Sequence, residues 1–206
     1  MMTRRSSNRT RILRGATEIL DAGPFDTFTV DSLSRHLKMS RSTLYRYFAS
    51  KERVLDTLVD EVCTRVDATV APLGTRRDEP ADAELARFVD ALVAYAEDLP
   101  RALAIRPEML PSSLQARLMV TRVAMNSSCG RILTRAVEQG AMEACDVEAM
   151  AAGFVTSVHT VMHTVARRER SASRAEPVRQ MAETWMYGLL RGRTGDQRKI
   201  AGPKRQ

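Results

Sequence analysis

The segment from residue 29 to residue 53 constrains the fold of this chain more than any other part. Five of its apolar residues have the spacing of the inward faces of two short helices separated by a short turn: Val30, Leu33, Leu37, Leu44 and Phe48. A residue type that commonly caps helices stands before each of three successive helix starts: Thr29, Ser40 and Ser50. The pattern predicts two short helices and the beginning of a third.

The second of these helices turns a polar face outward. Around its inward residues lie six side chains that must face solvent or a partner: Arg41, Ser42, Thr43, Tyr45, Arg46 and Tyr47. Guanidinium and hydroxyl groups bind base edges and phosphates in the major groove of DNA. Lys51, the first residue of the following helix, is directed toward the same region. Taken alone these residues also fit a solvated helix, but the ordered caps and apolar spacing favour DNA binding.

Basic residues are concentrated at the two ends of the chain. Residues 1–55 contain 11 Lys and Arg against 5 Asp and Glu, a net charge of +6, whereas residues 56–190 contain 15 against 19, a net charge of −4. The tail from residue 191 contains 6 against 1, a net charge of +5. A basic N-terminal module on a mildly acidic body indicates that polyanion binding lies in the first quarter of the chain.

The same segment resembles a known family. The signature of the TetR family of bacterial transcriptional regulators is similar to the run Thr43-Leu44-Tyr45-Arg46-Tyr47-Phe48-Ala49-Ser50-Lys51-Glu52-Arg53-Val54-Leu55, and Thr29-Val30-Asp31-Ser32-Leu33-Ser34 fits the same pattern. The similarity covers about residues 9–58 and implies that eight residues contact DNA: Thr29, Arg41, Ser42, Thr43, Tyr45, Arg46, Tyr47 and Lys51. In one departure, Lys38 replaces the Gly that usually begins the turn. A non-Gly residue at positive φ costs about 1 kcal/mol.

The resemblance implies an all-α fold of about nine helices in two parts. Residues 1–54 would form a three-helix, helix-turn-helix DNA-binding domain with a disordered arm at 1–8. Residues 55–193 would form a helical ligand-binding and dimerisation domain, followed by a disordered basic tail at 194–206. Apolar periodicity and helix stop signals predict the helices at about 9–22, 30–37, 41–48, 51–70, 82–98, 101–105, 111–140, 146–168 and 175–191.

The body is expected to bind a small molecule and a second copy of the chain. Candidate cavity residues, including a methionine that adapts to irregular space, are Val62, Val66, Phe88, Leu92, Tyr95, Met119, Val123, Phe154 and His159. The last two helices carry apolar stripes larger than a soluble monomer usually exposes, which predicts a two-fold dimer. Its candidate interface residues are Val158, Met162, Val165, Met181, Trp185 and Leu189.

The expected partners are therefore a double-stranded DNA operator, a second copy of the chain and a small hydrophobic effector. Two classes of function stay open. The chain is either a repressor released from a palindromic operator by a ligand, or a ligand-independent regulator whose body only dimerises or binds a protein. An apolar cavity of several hundred cubic ångströms with a few polar groups would favour the first.

The sequence lacks the patterns that catalysis or a cofactor would require. No Gly-rich phosphate loop, nucleophile elbow or paired-carboxylate motif occurs, so we expect no enzyme and no cofactor. His159 and His163 have a metal-ligand spacing, but Thr160 replaces the Glu of the zincin pattern, so a polar lining is expected and no metal. Scattered cysteines, the lack of a signal peptide and the lack of a run approaching about 18 apolar residues predict a cytoplasmic protein with no membrane span.

Overall fold

The computed structural model describes residues 4–76, 78–105, 110–168 and 173–191, with all side chains in these ranges except those of residues 4–6, 187 and 189–191. Within these ranges the chain is all-α, as predicted, and contains no strand. Its nine α-helices are α1 (Arg4–Ala22), α2 (Val30–Leu37), α3 (Arg41–Tyr45), α4 (Lys51–Val70), α5 (Ala81–Asp98), α6 (Arg101–Ile105), α7 (Ser112–Glu138), α8 (Val147–Arg168) and α9 (Ala175–Arg191).

The first helix is longer than the sequence predicts. Helix α1 begins at Arg4, so residues 4–8 of the expected disordered arm are helical. Asn8 is held there by a tertiary contact, since its Nδ2 donates a 2.9 Å hydrogen bond to the Tyr47 hydroxyl. A partner so distant in the sequence leaves no mark in the local pattern. The predicted basic tail at 194–206 lies outside the described residues.

The caps and the turn of the N-terminal module form as their residue types predict. Thr29 caps α2, with Oγ1 accepting from the Ser32 N–H at 3.0 Å and its own N–H donating to Ser32 Oγ at 2.9 Å. Ser40 and Ser50 cap α3 and α4, and each side chain accepts the backbone N–H of the residue three positions later. Lys38 adopts φ 51° and ψ 43°, which confirms that a non-Gly residue occupies the left-handed position after α2. The turn angle between α2 and α3 is therefore set locally.

A small apolar core holds the three helices of the module together. It is built from residues with exposures of at most 8%: Ile12, Leu13, Ala16, Leu20, Phe28, Leu33, Leu37, Leu44 and Phe48. Leu44 and Phe48 both lie in this core, as the sequence predicts. Burial of both leaves the intervening side chains of the α3 segment facing outward, and this fixes the orientation of the polar surface.

Helix α4 belongs to both parts of the molecule. Its buried residues run from Val54 to Val70 over its full length, and it packs against α1 in the module and against α5 and α7 in the body. A helix shared by two packed regions transmits displacements between them, because close-packed side chains resist compression. The helix that begins at Lys51 therefore links the module to the body.

The body packs helices α4, α5, α7, α8 and α9 around a second apolar region, with α6 lying against α1 and α8. A buried ion pair between Glu84 of α5 and Arg135 of α7 joins two of these helices. Glu84 Oε1 also accepts the Gly74 N–H at 2.9 Å, which secures the loop after α4. None of the described helices is long and apolar enough to cross a membrane.

Candidate DNA-binding surface and body cavity

The outward face of α3 is a dense hydroxyl cluster beside basic and aromatic residues. Ser40 Oγ accepts the Thr43 N–H at 3.2 Å and lies 2.9 Å from Ser42 Oγ and 2.8 Å from Thr43 Oγ1. Tyr45 is 51% exposed although it is aromatic. Because the cap fixes the hydroxyls before any partner arrives, this face presents preoriented donors and acceptors.

Two cation–π contacts and one hydrogen bond position the aromatic side of this surface. The Arg46 guanidinium lies 5.6 Å from the centre of the Tyr47 ring, and the Arg9 guanidinium lies 5.4 Å from that of Phe48. The Asn8 contact with Tyr47 adds a support from α1. The local sequence pattern does not indicate these positioning roles of Asn8 and Arg9, because their partners are about forty positions away.

Arg41, the first residue of α3, forms an ion pair with Asp31 of α2. The sequence pattern does not indicate this pair either, since its two residues are ten positions apart and on opposite sides of the turn. Both side chains are at least half exposed. The carboxylate therefore holds the arginine at the surface without removing it from solvent.

The remaining predicted DNA contacts flank α3. Thr29 lies at the start of α2 and is exposed, and Lys51 lies at the start of α4 and is half-buried. The structure thus brings Thr29, Lys51 and the α3 residues into one three-helix module. Helix N-termini of this kind carry partial positive charge and bind phosphate groups well.

The body contains an open cavity of about 440 Å³ between α5, α6, α7 and α8. Pockets of a few hundred cubic ångströms accommodate small organic molecules. Apolar and polar side chains share its wall: Tyr95, Leu99, Leu103, Ala104, Gln115, Leu118, Met119, Arg122, Thr156, His159, Thr160, Met162 and His163. The wall thus combines an apolar surface with a few polar groups.

The polar groups of the cavity have defined states. His159 Nδ1 lies 2.8 Å from the Val155 carbonyl oxygen, and burial lowers the pKa of His159, so its ring is neutral near pH 7. Burial raises the pKa of Tyr95, so its hydroxyl keeps its proton. Arg122 Nη2 donates a 2.9 Å hydrogen bond to Thr156 Oγ1.

Three of the nine predicted cavity residues line this cavity: Tyr95, Met119 and His159. The others do not. Val123 is 56% exposed on the outer face of α7, and five are core residues with exposures of at most 4%: Val62, Val66, Phe88, Leu92 and Phe154. The correction has a physical reason. Helical periodicity identifies the inward face, but it does not tell a filled interior from an open one. The polar residue Arg122 was missed for the same reason.

The predicted dimer surface also needs correction. Val158 and Met162 have exposures of 0% and 2% within a single chain, so they belong to the core of one protomer and cannot supply an interface. Phe154 packs at 5.6 Å, edge to face, against Trp185 and covers another part of the same stripe. Val165, Met181 and Trp185 are half-buried, and the Leu189 side chain lies outside the described residues. Neighbouring helices of one chain cover most of the apolar surface that predicted the dimer.

Two hydrogen-bonded clusters join the DNA-binding side of the molecule to the cavity walls. Asp21 Oδ1, at the end of α1, accepts the Arg101 N–H at the start of α6 at 2.6 Å. Arg117 of α7 donates through Nε to Asp60 Oδ1 at 3.0 Å and lies 2.9 Å from Asp67 Oδ2 through Nη1. Both aspartates belong to α4. Each cluster therefore connects a helix of the cavity wall to α1 or α4.

The N-terminal part of the chain is similar to known proteins. Residues 12–58 match the family model described as bacterial regulatory proteins, tetR family. Over 73 residues the chain is 40% identical to the HTH-type transcriptional regulator EthR of Mycobacterium tuberculosis (strain ATCC 25618 / H37Rv), covering 35% of this chain and 32% of that protein. The chain therefore spans only about a third of the length of this curated relative.

Solved structures resemble the chain over most of its length. A TetR-family regulator from Agrobacterium tumefaciens superposes with a TM-score of 0.70 at 18% identity, covering 90% of this chain and 99% of that one. The TetR-family regulator PfmR from Thermus thermophilus gives 0.66 at 22% identity, covering 88% and 100%. At these identities the likeness establishes the fold of the module and body together.

Proposed function

We propose that this chain, which belongs to the TetR family of bacterial transcriptional regulators, is a dimeric cytoplasmic repressor that leaves a palindromic operator when a small hydrophobic ligand fills the body cavity. One observation carries the proposal. The preoriented polar face of α3 is followed in the chain by the long helix α4, which packs against α5 and α7, and these two helices line an open cavity of about 440 Å³. The cavity supports the ligand-responsive function over the ligand-independent alternative, which would need no such space.

In this proposal α3 enters the major groove and its flanks contact phosphate. Arg41, Tyr45 and Arg46 would contact base edges, together with the hydroxyls of Ser42 and Thr43. Thr29, Tyr47 and Lys51 would contact phosphates on either side of the groove. The exposure of the α3 face and the fixed position of the Tyr47 ring support this assignment.

A second copy of the chain would place two α3 helices in successive major grooves, about 34–36 Å apart for half-sites separated by one turn of DNA. The half-buried apolar residues that remain available on α8 and α9 include Met150, Val161, Val165, Met181 and Trp185. A dimer through these residues, and not through the buried Val158, is the form that we propose.

The response to ligand would pass through Arg117 and Asp21. A molecule that enters the cavity displaces α6 or α7, and the hydrogen bonds to Asp21 on α1 and to Asp60 and Asp67 on α4 carry that displacement to the module. Replacing Arg117 by Met should leave ligand binding intact but reduce release of DNA. Equal release by the variant would exclude Arg117 as a link.

The phosphate contacts can be tested with the variant Lys51→Ala. It should weaken binding to random DNA and to a site selected from a random pool about equally. It should also reduce the slope of log affinity against log salt by about one unit. Arg53→Ala is a matched control, because Arg53 lies on the same helix but pairs with Asp56. An unchanged salt slope in Lys51→Ala would exclude a phosphate contact.

If Arg46 contacts a base, its replacement should affect DNA binding differently from the replacement of Lys51. Arg46→Ala should cost roughly 1–3 kcal/mol at one base position if Arg46 contacts a guanine, with a smaller effect on random DNA. Binding measured across single-base variants of the selected site locates the effect. A uniform loss at every sequence would reassign Arg46 to the DNA backbone.

Dimer formation is measured by sedimentation of the full chain at micromolar concentration. We expect a species of twice the monomer mass, and Val161→Glu should shift it to monomer with the helical circular dichroism retained. Thr134→Glu, which places the same charge on an exposed position of α7, is the control. A monomer in the unmodified protein would exclude the dimeric repressor.

A further inference from the structure

The charge of the body cavity differs from that of the surrounding body. Residues 56–190 carry 19 acidic against 15 basic side chains, yet no Asp or Glu is among the residues that line the cavity in the described part of the chain. Arg122 is the single arginine or lysine among those lining residues. The wall therefore has a local positive charge within an acidic body.

Arg122 lacks the carboxylate partner that five arginines of the body have among the described residues. Those five form ion pairs: Arg65, Arg87, Arg117, Arg135 and Arg179. Arg131 donates to the carbonyl oxygens of Ala71 and Leu73 and lies outside the cavity. Arg122 instead donates to a neutral hydroxyl, that of Thr156, and no carboxylate of the described residues lies within ion-pair distance of it. A guanidinium has five N–H donors in a fork that matches a carboxylate. Arg122 therefore keeps donors for a partner that the described part of the chain does not provide.

Other polar atoms of the wall are also available. Tyr95, which is only 4% exposed, brings its hydroxyl-bearing ring into the cavity wall, 6.1 Å from the ring of His159. His159 uses Nδ1 for the Val155 carbonyl, which leaves Nε2 available. A buried polar group without a partner is unfavourable, so a ligand that supplies one gains affinity. These atoms specify a polar head on the ligand, since an entirely apolar ligand would leave them unpaired.

The rest of the wall is apolar. Its aliphatic part consists of Leu99, Leu103, Ala104, Leu118, Met119 and Met162. Met119 is also 58% exposed, which places it at the mouth of the cavity. Burial of a hydrocarbon against these side chains removes apolar surface from water and therefore favours binding. The site thus has an apolar wall next to one unpaired cation.

We propose that the cavity binds an amphipathic carboxylic acid, with the carboxylate on the Arg122 guanidinium and the hydrocarbon against the aliphatic wall. This deepens the proposed function, because it names the chemical class of the effector for the same cavity. Neutral molecules of the same shape bind more weakly, since they leave Arg122 without a charged partner. The binding site itself stands even if the ligand does not release DNA.

The first test is calorimetric titration of the full chain with three compounds: decanoate, the carboxylate of a ring-alkylated benzoic acid, and the neutral alcohol decanol. Both acids should bind, and decanol should bind at least about 10-fold more weakly, as expected for loss of a charge-assisted hydrogen bond. The comparison of the two acids separates straight-chain from aromatic acids. Binding of decanol as tight as that of decanoate, or binding of neither acid, would overturn the proposal.

Substitutions of the arginine sharpen the test. Arg122→Met should weaken decanoate binding by about 10- to 100-fold and change decanol binding by less than about 3-fold. Arg122→Lys, which keeps the charge, should retain most of the preference for the acid and remains informative if the Met variant does not fold. Arg65→Met removes an exposed arginine of the same body and should change neither affinity. An equal loss for acid and alcohol in Arg122→Met would contradict the role of the charge.

Release of a selected DNA site, followed by fluorescence anisotropy, separates the two proposals. Decanoate that binds without releasing DNA contradicts the ligand-released repressor and leaves the ligand class intact. Decanol that releases DNA as well as decanoate contradicts the ligand class and leaves the response intact. Release by decanoate that is lost in Arg122→Met and kept in Arg65→Met supports both.

Discussion

Two arginine–carboxylate pairs of this molecule have the same chemistry and different surroundings. The Arg41–Asp31 pair lies on the module, with side chains 65% and 50% exposed, whereas the Arg135–Glu84 pair lies in the body, with 9% and 0% exposed. An exposed pair typically contributes 0.2–1 kcal/mol, while removing one partner of a buried pair typically costs 3–5 kcal/mol. The module can therefore exchange the partner of its arginine at little cost, and the body cannot.

The same contrast extends to the two regions as wholes. In the module, Ser40 and its neighbouring hydroxyls lie at the surface and bond to one another, so a new partner can replace those contacts. In the body, Arg117, Arg135 and Glu84 bridge different helices through contacts more than fifty residues apart in sequence. The surface contacts of the module suit binding and release, while the bridges of the body fix the walls of a cavity.

The largest effect is expected from removing one charge of the buried pair. Glu84→Gln keeps the side-chain volume and an acceptor for the Gly74 N–H, but leaves the Arg135 guanidinium without its counter-charge. We expect a loss of about 3–5 kcal/mol in the free energy of unfolding, measured by urea denaturation. The double variant Glu84→Met with Arg135→Met should recover part of the loss. A cost below about 1 kcal/mol would show that the two pairs do not differ as their burial indicates.

One core substitution in the module and one in the body test whether the two regions unfold independently. Leu44→Ala should cost about 2–5 kcal/mol, abolish DNA binding by unfolding the small module, and leave the body helical. Leu133→Ala of α7, equally buried, is the reciprocal control and should loosen the body first. Hydrogen exchange of the two regions gives the readout. If Leu44→Ala is fully stable and keeps its DNA affinity, the side of α3 that carries Leu44 does not face the core.

Local features of the module could be predicted from the sequence because their causes are local. The caps at Thr29, Ser40 and Ser50 act within three residues, and the positive φ of Lys38 follows from its place after α2. The inward position of Leu44 follows from helical period together with the small size of the module. The support of Tyr47 by Asn8 was not predictable, since nothing in the sequence indicates that residues 39 positions apart meet.

The body was less predictable because its functional surfaces depend on how helices pack. Helical spacing correctly grouped Val158 and Met162 on one face of α8, but it could not show that the same chain covers that face. It likewise gave no means of separating Tyr95, which lines the cavity, from Leu92, which fills the core. Nothing in the sequence pattern indicates a role for Arg122, because that role depends on which described residues surround it in the fold, and none of those lining the cavity is a carboxylate.

A buried titratable group in the body predicts a pH response. Burial lowers the pKa of His159 in the folded state, whereas an unfolded histidine has a pKa of about 6.5. The unfolded chain then binds more protons below that pH, so the free energy of unfolding should fall as the pH drops below about 6.5, by at most about 1.4 kcal/mol per unit. His159→Gln should flatten this dependence below about pH 6.5 in urea titrations. If the free energy of unfolding depends on pH equally in the unmodified protein and in His159→Gln, His159 is not the cause of that dependence.

Of these variants, Asp31→Asn is expected to change stability least. Its effect on DNA binding is the most informative about function. The exposed pair with Arg41 contributes little, so the free energy of unfolding should change by no more than about 1 kcal/mol. DNA affinity should rise by roughly 2- to 5-fold, because the variant removes a negative charge that faces phosphates and frees Arg41 for DNA.

The salt dependence of Asp31→Asn shows what the freed arginine contacts. If Arg41 then contacts a phosphate, the slope of log affinity against log salt becomes steeper by about 0.9, and random DNA gains as much as a selected site. If Arg41 contacts a base edge, the gain is confined to the selected site. Arg41→Met supplies the matched control, since Asp31→Asn should have no further effect on DNA binding through Arg41 in its background. Weaker binding by Asp31→Asn alone would show that the carboxylate orients Arg41 for the groove, and the exposed pair would then resemble the buried one in holding its arginine in place.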